Sequence, residues 1–511
     1  MKTERSCGVL MHITSLPGKY GIGTMGKEAY EFADFLRRSG QSYWQILPTG
    51  PVCEPEFSPY ESTSTFAGNP LFINTDLFSE KSWVAADVLA VHEFFPPSHA
   101  ADYPRAEQRM MEKMKAIFAL FLESAPKSEK EAFTKFCKAN ASWLDDYALF
   151  AALSGYFGTI EWIKWEHDIR LRKAAAMERW SKDLAPQIEF QKYLQFVFND
   201  QWHRLKKYCN DIGLKIVGDI PIYVSFNSAD AWANPEVFDL DDETGIPREV
   251  AGVPPDYFSP TGQRWGNPLY RWNGADGKLS EPMIRWWAAR IRQVHSFVDI
   301  IRIDHFRAFN DYWAIPADAP NAMTGQWKPG PGMPFFDRIK KELGELPFIA
   351  EDLGNLTPEV EQLRDQTGFP GMKILQFAFD GDPNNAYLPF NFTTTNCIVY
   401  TGTHDNDTTN SWYYASGLDD TAKRRIREYM GFGDDHEFHL KLIQYAYATV
   451  AKIVIIPAQD ILGYGPGFRM NTPGVHVGNW VWMLTPGALG DLDSGRLYWW
   501  AQQYNRLPKK K

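Results

Sequence analysis

The sequence has few cysteines, no long apolar run and no excess of positive charge. Its five cysteines, among 511 residues, are widely spaced without a Cys-x-x-Cys pair, which argues against a disulfide framework or a zinc knuckle. No stretch approaches the ~20 apolar residues of a membrane-spanning helix, and the first residues lack the apolar core of a signal peptide. Asp and Glu (63) outnumber Lys and Arg (53), and the net charge of −10 disfavours a nucleic-acid partner. These features predict a cytoplasmic protein with no nucleic-acid or membrane partner.

Aromatic residues, in contrast, are abundant. They make up 15% of the chain and include 19 tryptophans. Aromatic rings stack on the flat apolar faces of sugars, but a large aromatic core explains the same composition. Composition alone therefore leaves a carbohydrate ligand open.

Short apolar runs rich in Val and Ile recur along the whole chain, separated by helical or irregular stretches. This pattern is typical of parallel strands that are buried on both faces and joined by crossovers. The runs occupy residues 8–13, 43–48, 216–220, 300–305, 348–352, 372–377, 398–405 and 453–456. Eight such strands predict an α/β fold, a closed (β/α)8 TIM barrel that spans residues 1–511 as one catalytic domain.

Two gaps between the predicted strands are too long for simple crossovers, so we expect large insertions after the second and third strands. Residues 76–210 contain apolar residues at helical spacing, which predicts a mainly helical insertion. Residues 226–295 are rich in Pro, Gly and Asp, which predicts a loop-rich insertion. Within it, periodicity assigns residues 252–268 to neither helix nor strand. Long loops of this kind are usually binding loops or lids.

Two motifs suggest other ligands but lack the required context. Gly21, Gly23 and Gly26 fit a dinucleotide fingerprint, yet a proline-containing loop separates them from the preceding strand, and the next strand lacks the acidic residue that binds ribose. His436 and His439 share a helical spacing without the further ligands of a metal site. These two motifs therefore predict neither a nucleotide cofactor nor a metal site of their own.

Four acidic residues lie at the carboxyl ends of predicted strands, where barrel enzymes place their active sites. They are Asp219, Asp304, Glu351 and Asp405. Four converging carboxylates are costly unless they bind a metal, pair with cations or perform acid–base chemistry. Arg302 supplies a cation, because in a strand it points to the same side as Asp304. A metal site remains an open but less favoured alternative.

Glycoside chemistry explains this set of acids economically. Cleavage with retention requires a carboxylate nucleophile and a protonated carboxyl group about 5–5.5 Å apart. Asp304 and Glu351 end neighbouring barrel strands and can lie that close. Asp405 is then available to bind sugar hydroxyls and to favour the oxocarbenium-like state.

Several segments also resemble one known family. The stretches 302–307 (RIDHFR), 350–354 (AEDLG) and 401–408 (TGTHDNDT) are similar to the catalytic motifs of amylomaltases, the 4-α-glucanotransferases or disproportionating enzymes of the α-amylase clan. The segments 14–18, 58–60, 66–70, 218–222, 252–268 and 469–471 are similar to that family as well. The resemblance thus extends over almost the whole chain.

The resemblance implies a retaining transfer of α-1,4-glucan segments between maltooligosaccharides or amylose chains, without a cofactor or a metal. In this reaction Asp304 would be the nucleophile, Glu351 the general acid/base and Asp405 the transition-state stabiliser. Residues that match sugar-binding or orienting positions are Ser58, Tyr60, Asp219, Trp265, Arg302, His305, His404 and Asn471. The 252–268 loop matches a flexible lid on the acceptor side, with Tyr257, Phe258 and Gln263 as its contact residues.

One segment departs from the family pattern. Residues 51–57 (PVCEPEF) replace a Gly/Tyr-rich segment whose tyrosine belongs to a remote glucan groove, so we expect altered binding of long chains.

Two alternative functions stay open from the sequence. A hydrolase of the same clan would use the same three acids and pass the intermediate to water. A noncatalytic glucan-binding barrel would tolerate loss of an acid, although all three acids are present.

Overall fold

The computed structural model describes residues 5–90, 98–255, 259–345, 347–354 and 356–509. These residues form twelve β-strands in two sheets. The strands are β1 (Ser6–Leu10), β2 (Tyr43–Gln45), β3 (Lys215–Pro221), β4 (Glu249–Val253), β5 (Gln263–Pro268), β6 (Ile300–Asp304), β7 (Asp311–Pro316), β8 (Gln326–Pro329), β9 (Phe348–Ala350), β10 (Gly371–Ile374), β11 (Cys397–Tyr400) and β12 (Ile453–Pro457).

The larger sheet is a parallel barrel of eight strands in the order β10-β11-β12-β1-β2-β3-β6-β9. A backbone hydrogen bond of 3.0 Å from Ala350 N to Pro370 O connects the two ends of this order. Every strand coincides with one of the predicted apolar runs, and the prediction of a (β/α)8 barrel is confirmed. Continuous burial on both faces explains why the runs contain Val and Ile without alternation.

Four strands end three or more residues earlier than the sequence predicts. The first ends at Leu10 rather than residue 13 and the second at Gln45 rather than residue 48. The sixth ends at Ile374 rather than residue 377, and the seventh at Tyr400 rather than residue 405. After the first and sixth strands the chain continues into short 3₁₀ turns at Ile13–Ser15 and Leu375–Phe377. Apolar content alone cannot mark these ends, because most of the turn residues are as buried as the strands.

The described residues form sixteen α-helices. They are α1 (Lys27–Arg38), α2 (Ala86–Leu89), α3 (Tyr103–Ser124), α4 (Lys127–Phe157), α5 (His167–Arg170), α6 (Ala174–Asp183), α7 (Ala185–Asp211), α8 (Ala229–Ala233), α9 (Glu281–Phe297), α10 (Gly332–Leu343), α11 (Pro358–Thr367), α12 (Thr409–Ala415), α13 (Asp420–Met430), α14 (Phe438–Ala448), α15 (Ala458–Ile461) and α16 (Ser494–Gln503). None of these described helices combines the length and the apolar character needed to cross a bilayer.

Helices α2 to α7 lie between β2 and β3. The apolar stripe of α3 is buried and includes Met114 and Ile117, and α4 packs along α7. Gln195 and Gln201 of α7 each exchange two hydrogen bonds with the backbone of the loop after β2, at Gly68 and Asn74. These side chains attach the helices firmly to the barrel, since buried backbone groups must find partners.

The smaller sheet is antiparallel, in the order β5-β4-β7-β8. Strands β4 and β5 include both ends of the 252–268 segment, which the sequence assigns to neither helix nor strand. Strand β7, which pairs with β4, follows β6 and belongs to a further insertion that no local sequence pattern predicts. Pairing between Ala251 and Ala314 joins the two insertions. Such pairing over a long sequence separation leaves no local periodic signal.

The C-terminal segment is tied to the amino ends of the barrel strands by Arg506, whose side chain is fully buried. Its guanidinium group donates hydrogen bonds to the carbonyl oxygens of Tyr447, Thr449 and Ala451 at 2.9, 2.9 and 3.0 Å. It also donates to Ser6 O, at the start of β1, at 3.2 Å. Burial lowers the pKa of Arg506 to about 10, so the group remains charged at neutral pH.

Replacing this buried arginine should destabilise the barrel. We expect Arg506→Met to lower the free energy of unfolding by about 3 kcal/mol or more, because several buried carbonyl groups lose their donors. Urea unfolding at neutral pH measures the change. Arg496→Met, at an arginine with 40% side-chain exposure, is the control and should change stability by less than about 0.5 kcal/mol. Equal unfolding midpoints for the two variants would contradict the role of Arg506.

Candidate active site

The four predicted acids meet at the carboxyl ends of the barrel strands. Asp219 lies near the end of β3, Asp304 is the last residue of β6, Glu351 directly follows β9, and Asp405 lies beyond β11. Asp304 and Asp405 line an open cleft of about 800 Å³. A parallel barrel brings these ends together although the residues are far apart in the sequence.

Arg302 lies between two of these acids. Its Nη1 atom is 2.6 Å from Asp219 Oδ2 and 2.9 Å from Asp304 Oδ1. The register of β3 and β6 pairs Asp219 directly with Arg302, and the strand alternation places Arg302 and Asp304 on one face. The Arg302 side chain is only 3% exposed, so its charge is compensated almost entirely by carboxylates.

Asp219 is fully buried beneath the cleft. Tyr60 donates a hydrogen bond of 2.8 Å to Asp219 Oδ2, the oxygen that Arg302 also contacts. Burial raises the pKa of Asp219, and the neighbouring charge of Arg302 opposes this rise. Asp219 therefore holds Arg302 and Tyr60 in place from below and does not itself reach the cleft lining.

Glu351 has both carboxyl oxygens fixed by backbone amides. His305 N donates to Oε2 at 2.6 Å, and Leu353 N donates to Oε1 at 2.9 Å. Burial and then the charge of Asp304 raise the pKa of Glu351 to about 8, although Arg302 and the two amides act in the opposite direction. At neutral pH this carboxyl group holds a proton that it can donate.

His305 adopts an unusual backbone conformation that serves this contact. Its φ of 52° lies in the left-handed region, which costs a residue with a side chain of order 1 kcal/mol or more. The same turn directs its amide towards Glu351. Its ring lies edge-on to Trp265, with centroids 5.0 Å apart, and burial lowers its pKa to about 4, so the imidazole is neutral.

The third acid, Asp405, is oriented by a separate set of residues. Asn471 Nδ2 donates to Asp405 Oδ1 at 2.7 Å, and His404 Nε2 lies 3.4 Å from Oδ2. Arg469 donates to the backbone carbonyl of Asp405. Burial lowers the pKa of His404. Asp405 itself is 43% exposed and is therefore available to a ligand.

The remaining predicted residues occupy the walls of the same cleft. Ser58 Oγ accepts a hydrogen bond of 3.2 Å from Tyr60 N. Trp265 and Gln263 lie two residues apart on β5 and share a 3.2 Å hydrogen bond between indole Nε1 and Oε1. Tyr257 and Phe258, the other predicted lid residues, lie outside the described residues.

Three further cleft residues are not among the site residues predicted from the sequence. Trp480 packs against the rings of Tyr60 and His404, at centroid distances of 5.5 and 5.9 Å. Glu61 and Asn267 also line the cleft, and burial raises the pKa of Glu61 to about 7. The positions of Glu61 beside Tyr60 and of Asn267 inside the 252–268 motif were available as signals. Trp480 has no such local signal, because only tertiary packing brings it to Tyr60.

The charged groups of the site suit proton transfer and attack by a carboxylate. Within the described ranges, no cluster of three or more His, Cys, Asp or Glu side chains is arranged to hold a metal ion. The cation beside Asp304 is instead Arg302. A protonated carboxyl group thus lies next to a carboxylate that an arginine contacts, which is the pair of states that acid-assisted displacement at an acetal carbon requires.

Comparisons with known proteins agree on one family. A family model described as 4-alpha-glucanotransferase matches residues 11–488. The chain is 43% identical over 509 residues to a 4-alpha-glucanotransferase of Synechocystis sp., covering 99% of both chains. It is 42% identical over 496 residues to the Clostridium butyricum enzyme of the same name, covering 97% of this chain and 100% of that relative. It also matches the solved amylomaltase of Streptococcus agalactiae, determined in complex with acarbose, with a TM-score of 0.92, 37% identity and coverage of 99% and 100%.

The contact between Asn471 and Asp405 provides a test of the site geometry. Asn471→Asp places a second carboxylate 2.7 Å from Asp405, so both acids should bind protons more readily in the folded state. We expect a loss of about 1–2 kcal/mol of stability at pH 7 and a smaller loss near pH 4, where one shared proton restores a hydrogen bond. Urea unfolding at both pH values measures this difference.

The matched control is Asn384→Asp. Asn384 donates a hydrogen bond of 3.2 Å to Asp382, and the contact is exposed. Solvent should screen the new charge there, so its effect should be within about 0.5 kcal/mol at either pH. The same pH dependence in the two variants would argue against a partly buried Asp405–Asn471 contact.

Proposed function

The chain belongs to the 4-α-glucanotransferase family, and within this family we propose that it transfers α-1,4-glucan segments from a maltooligosaccharide or amylose donor to the 4-hydroxyl of glucose or a second glucan. It is an enzyme that transfers glucan. The observation that carries the residue assignments is the different surroundings of two neighbouring acids. Arg302 contacts Asp304 at 2.9 Å, whereas burial and the Asp304 charge raise the pKa of Glu351 to about 8.

In the first step, Glu351 donates its proton to the oxygen of the scissile glycosidic bond while Asp304 Oδ attacks the anomeric carbon. The bond to the leaving sugar breaks, and a covalent glycosyl ester forms on Asp304. The ester has no negative charge, so the charge of Asp304 that raised the pKa of Glu351 is removed. Glu351 is then ionised and ready to act as a base.

In the second step, the free end of an acceptor glucan replaces the departed sugar. Glu351 removes the proton of its 4-hydroxyl, and the resulting oxygen attacks the anomeric carbon of the ester. Asp304 leaves as a carboxylate, stabilised again by Arg302. Each cycle breaks one α-1,4 bond and forms one, and the proton returns to Glu351.

Asp405 is proposed to stabilise the oxocarbenium-like state by binding sugar hydroxyls. The contacts from Asn471 and His404 support this role, because they hold the carboxylate in one orientation while leaving it 43% exposed. His404 in turn stacks on the ring of Tyr60 at a centroid distance of 5.1 Å, so the orientation of Asp405 is linked to the stacked aromatic wall. Such preorganised groups favour the transition state over the ground state.

Transfer rather than hydrolysis requires an acceptor sugar to exclude water from the ester. We propose that the 252–268 segment provides this side of the cleft. Gln263 and Trp265 line the cleft from β5, and Tyr257 and Phe258 belong to the same segment.

For cellular location we propose the cytoplasm. The described cysteines are all unpaired, which is the state in which a reducing compartment would keep them.

The nucleophile assignment predicts complete loss of transfer in Asp304→Asn. Incubation of the purified protein with maltotriose should yield glucose together with oligosaccharides longer than maltotriose, resolved by chain length over time. The amide introduced by the substitution cannot form the ester, so the rate should fall by at least about 10³-fold. The control Asp276→Asn, at an exposed turn, should retain the full product ladder.

The products distinguish the proposed function from its alternatives. Accumulation of only shorter sugars would show that water is the acceptor and would identify a hydrolase. An Asp304→Asn variant as active as the unsubstituted protein would overturn the assigned mechanism.

The raised pKa of Glu351 predicts a fall in activity on the alkaline side. The first step needs the protonated acid, so kcat/KM for maltotriose should decrease as pH rises through about 8.

The titration of Glu351 should also affect the free energy of unfolding. The folded state binds this proton more tightly than the unfolded chain, so Glu351 reduces stability increasingly as pH rises from about 4.5 to about 8.

Glu351→Gln removes this titration. Urea unfolding should therefore show that the variant gains stability relative to the unsubstituted protein between about pH 5 and about pH 8. A difference in stability that stays constant over this interval would be inconsistent with a protonated Glu351 at neutral pH.

A further inference from the structure

A second cavity, of about 260 Å³, lies outside the catalytic cleft. Its walls come from α4 in the helical insertion, from the start of α9, from α8 with the turn that follows it, and from the loop after β2. It shares no lining residue with the cleft. The proposed chemistry leaves this cavity without a role.

One side of the cavity is aromatic. Phe66, Tyr147 and Trp286 are buried, whereas Trp143 is half-buried at its edge. Phe66 lies nearly parallel to Trp143, with ring centroids 6.4 Å apart, and edge-on to Trp286 at 5.9 Å. The half-buried ring of Trp143, supported by Phe66, therefore provides an apolar surface suited to the carbon–hydrogen face of a sugar ring.

The other side is polar. Asp230 is 3% exposed, and its Oδ2 accepts a hydrogen bond of 2.8 Å from Thr65 N. Asp146 forms an ion pair of 2.6 Å with Arg172. Glu236 and Arg285 lie exposed in the lining and, within the part of the chain that the structure describes, form neither a hydrogen bond nor an ion pair. They present an acceptor and a donor that a ligand can use.

The aromatic wall is formed before any ligand arrives. Arg290 Nε donates to Thr65 Oγ1 at 2.7 Å, and Gln293 Nε2 donates to Phe66 O at 3.0 Å. Both donors belong to α9, so the loop after β2 is held against this helix. A preformed wall reduces the entropy lost on binding and is typical of small-molecule sites.

These features define the class of ligand. Polar and apolar surfaces are balanced, which favours a molecule with hydroxyl groups around a carbon ring. Arg172 pairs with Asp146, and the charge of Arg290 acts on Asp230. The remaining charges of Glu236 and Arg285 balance each other, which favours an uncharged ligand over a phosphorylated one. The volume lies just below the roughly 300–1,000 Å³ of typical ligand pockets, which suits one ring rather than a chain.

We propose that this cavity binds a single unphosphorylated hexose ring, such as glucose, between the aromatic wall and the side chains of Glu236 and Arg285. The site is separate from the catalytic cleft, and its existence does not depend on the roles assigned to the catalytic acids.

Hydrogen–deuterium exchange with glucose as the probe tests the proposal. Glucose has no glycosidic bond, so no reaction accompanies binding. We expect saturable protection in peptides over residues 142–147 and 229–236, followed separately from peptides over the cleft segments 53–61 and 471–480. The double variant Glu236→Gln with Arg285→Ala changes exposed side chains only. It should weaken protection at the cavity at least about tenfold and leave cleft protection unchanged.

Arg292→Ala is the matched control, because Arg292 is an exposed arginine of α9 that does not line the cavity. It should bind glucose as the unsubstituted protein does. Glucose 6-phosphate should protect the cavity peptides more weakly than glucose at equal concentration, because the balanced charges favour an uncharged ligand.

Three results would overturn the proposal. They are no protection of the cavity peptides by glucose, equal protection in the double variant, and protection by glucose 6-phosphate that equals or exceeds that by glucose. Because each readout is confined to the cavity peptides and uses no turnover, failure here is distinguishable from failure of the proposed transfer reaction.

Discussion

The structure depends most on one buried cation, the guanidinium of Arg302. At 3% exposure it is compensated by Asp219 and Asp304, at 2.6 and 2.9 Å. A buried charge without partners would be strongly destabilising, so this arginine forces the two acids together. Asp219 in turn accepts a hydrogen bond from the hydroxyl of Tyr60. This contact connects the buried acids to the aromatic residues that line the cleft. One side chain thus positions the proposed nucleophile Asp304, orients Tyr60 through Asp219 and neutralises the buried carboxylates.

The same arrangement separates the behaviour of two neighbouring acids. Asp304 has the arginine as a direct partner, whereas Glu351 has backbone amides as its hydrogen-bond donors and feels the charge of Asp304. The left-handed backbone of His305 supplies one of those amides. The strained backbone of His305 therefore helps to orient the carboxyl group of Glu351, which carries the proton used in the proposed reaction. Strained backbone conformations of this kind are typical of active sites.

The barrel and its insertions contribute different parts of the site. The strands carry the acids, and the excursions between strands supply the surfaces around them. Asn267 and Trp265 enter the cleft from the antiparallel sheet, and Trp480 enters from the segment before the last helix. The helical insertion contributes instead to the second cavity, where α4 faces α9. The second cavity combines aromatic and polar surfaces in similar amounts and shares no lining residue with the cleft, so the two can serve different ligands.

Much of this was readable from the sequence. Runs of Val and Ile located all eight barrel strands, because burial on both faces leaves a local signal. The acidic residues in or directly after those runs predicted that Asp304, Glu351 and Asp405 meet at one end of the barrel. The tertiary structure alone decided which strand ends turn early, which distant segments pair as β4 and β7, and that Trp480 packs on Tyr60. It also decided the protonation of Glu351, since a pKa depends on burial and on charges that the fold brings near. Local patterns record what each segment buries, but only the folded chain determines which segments meet.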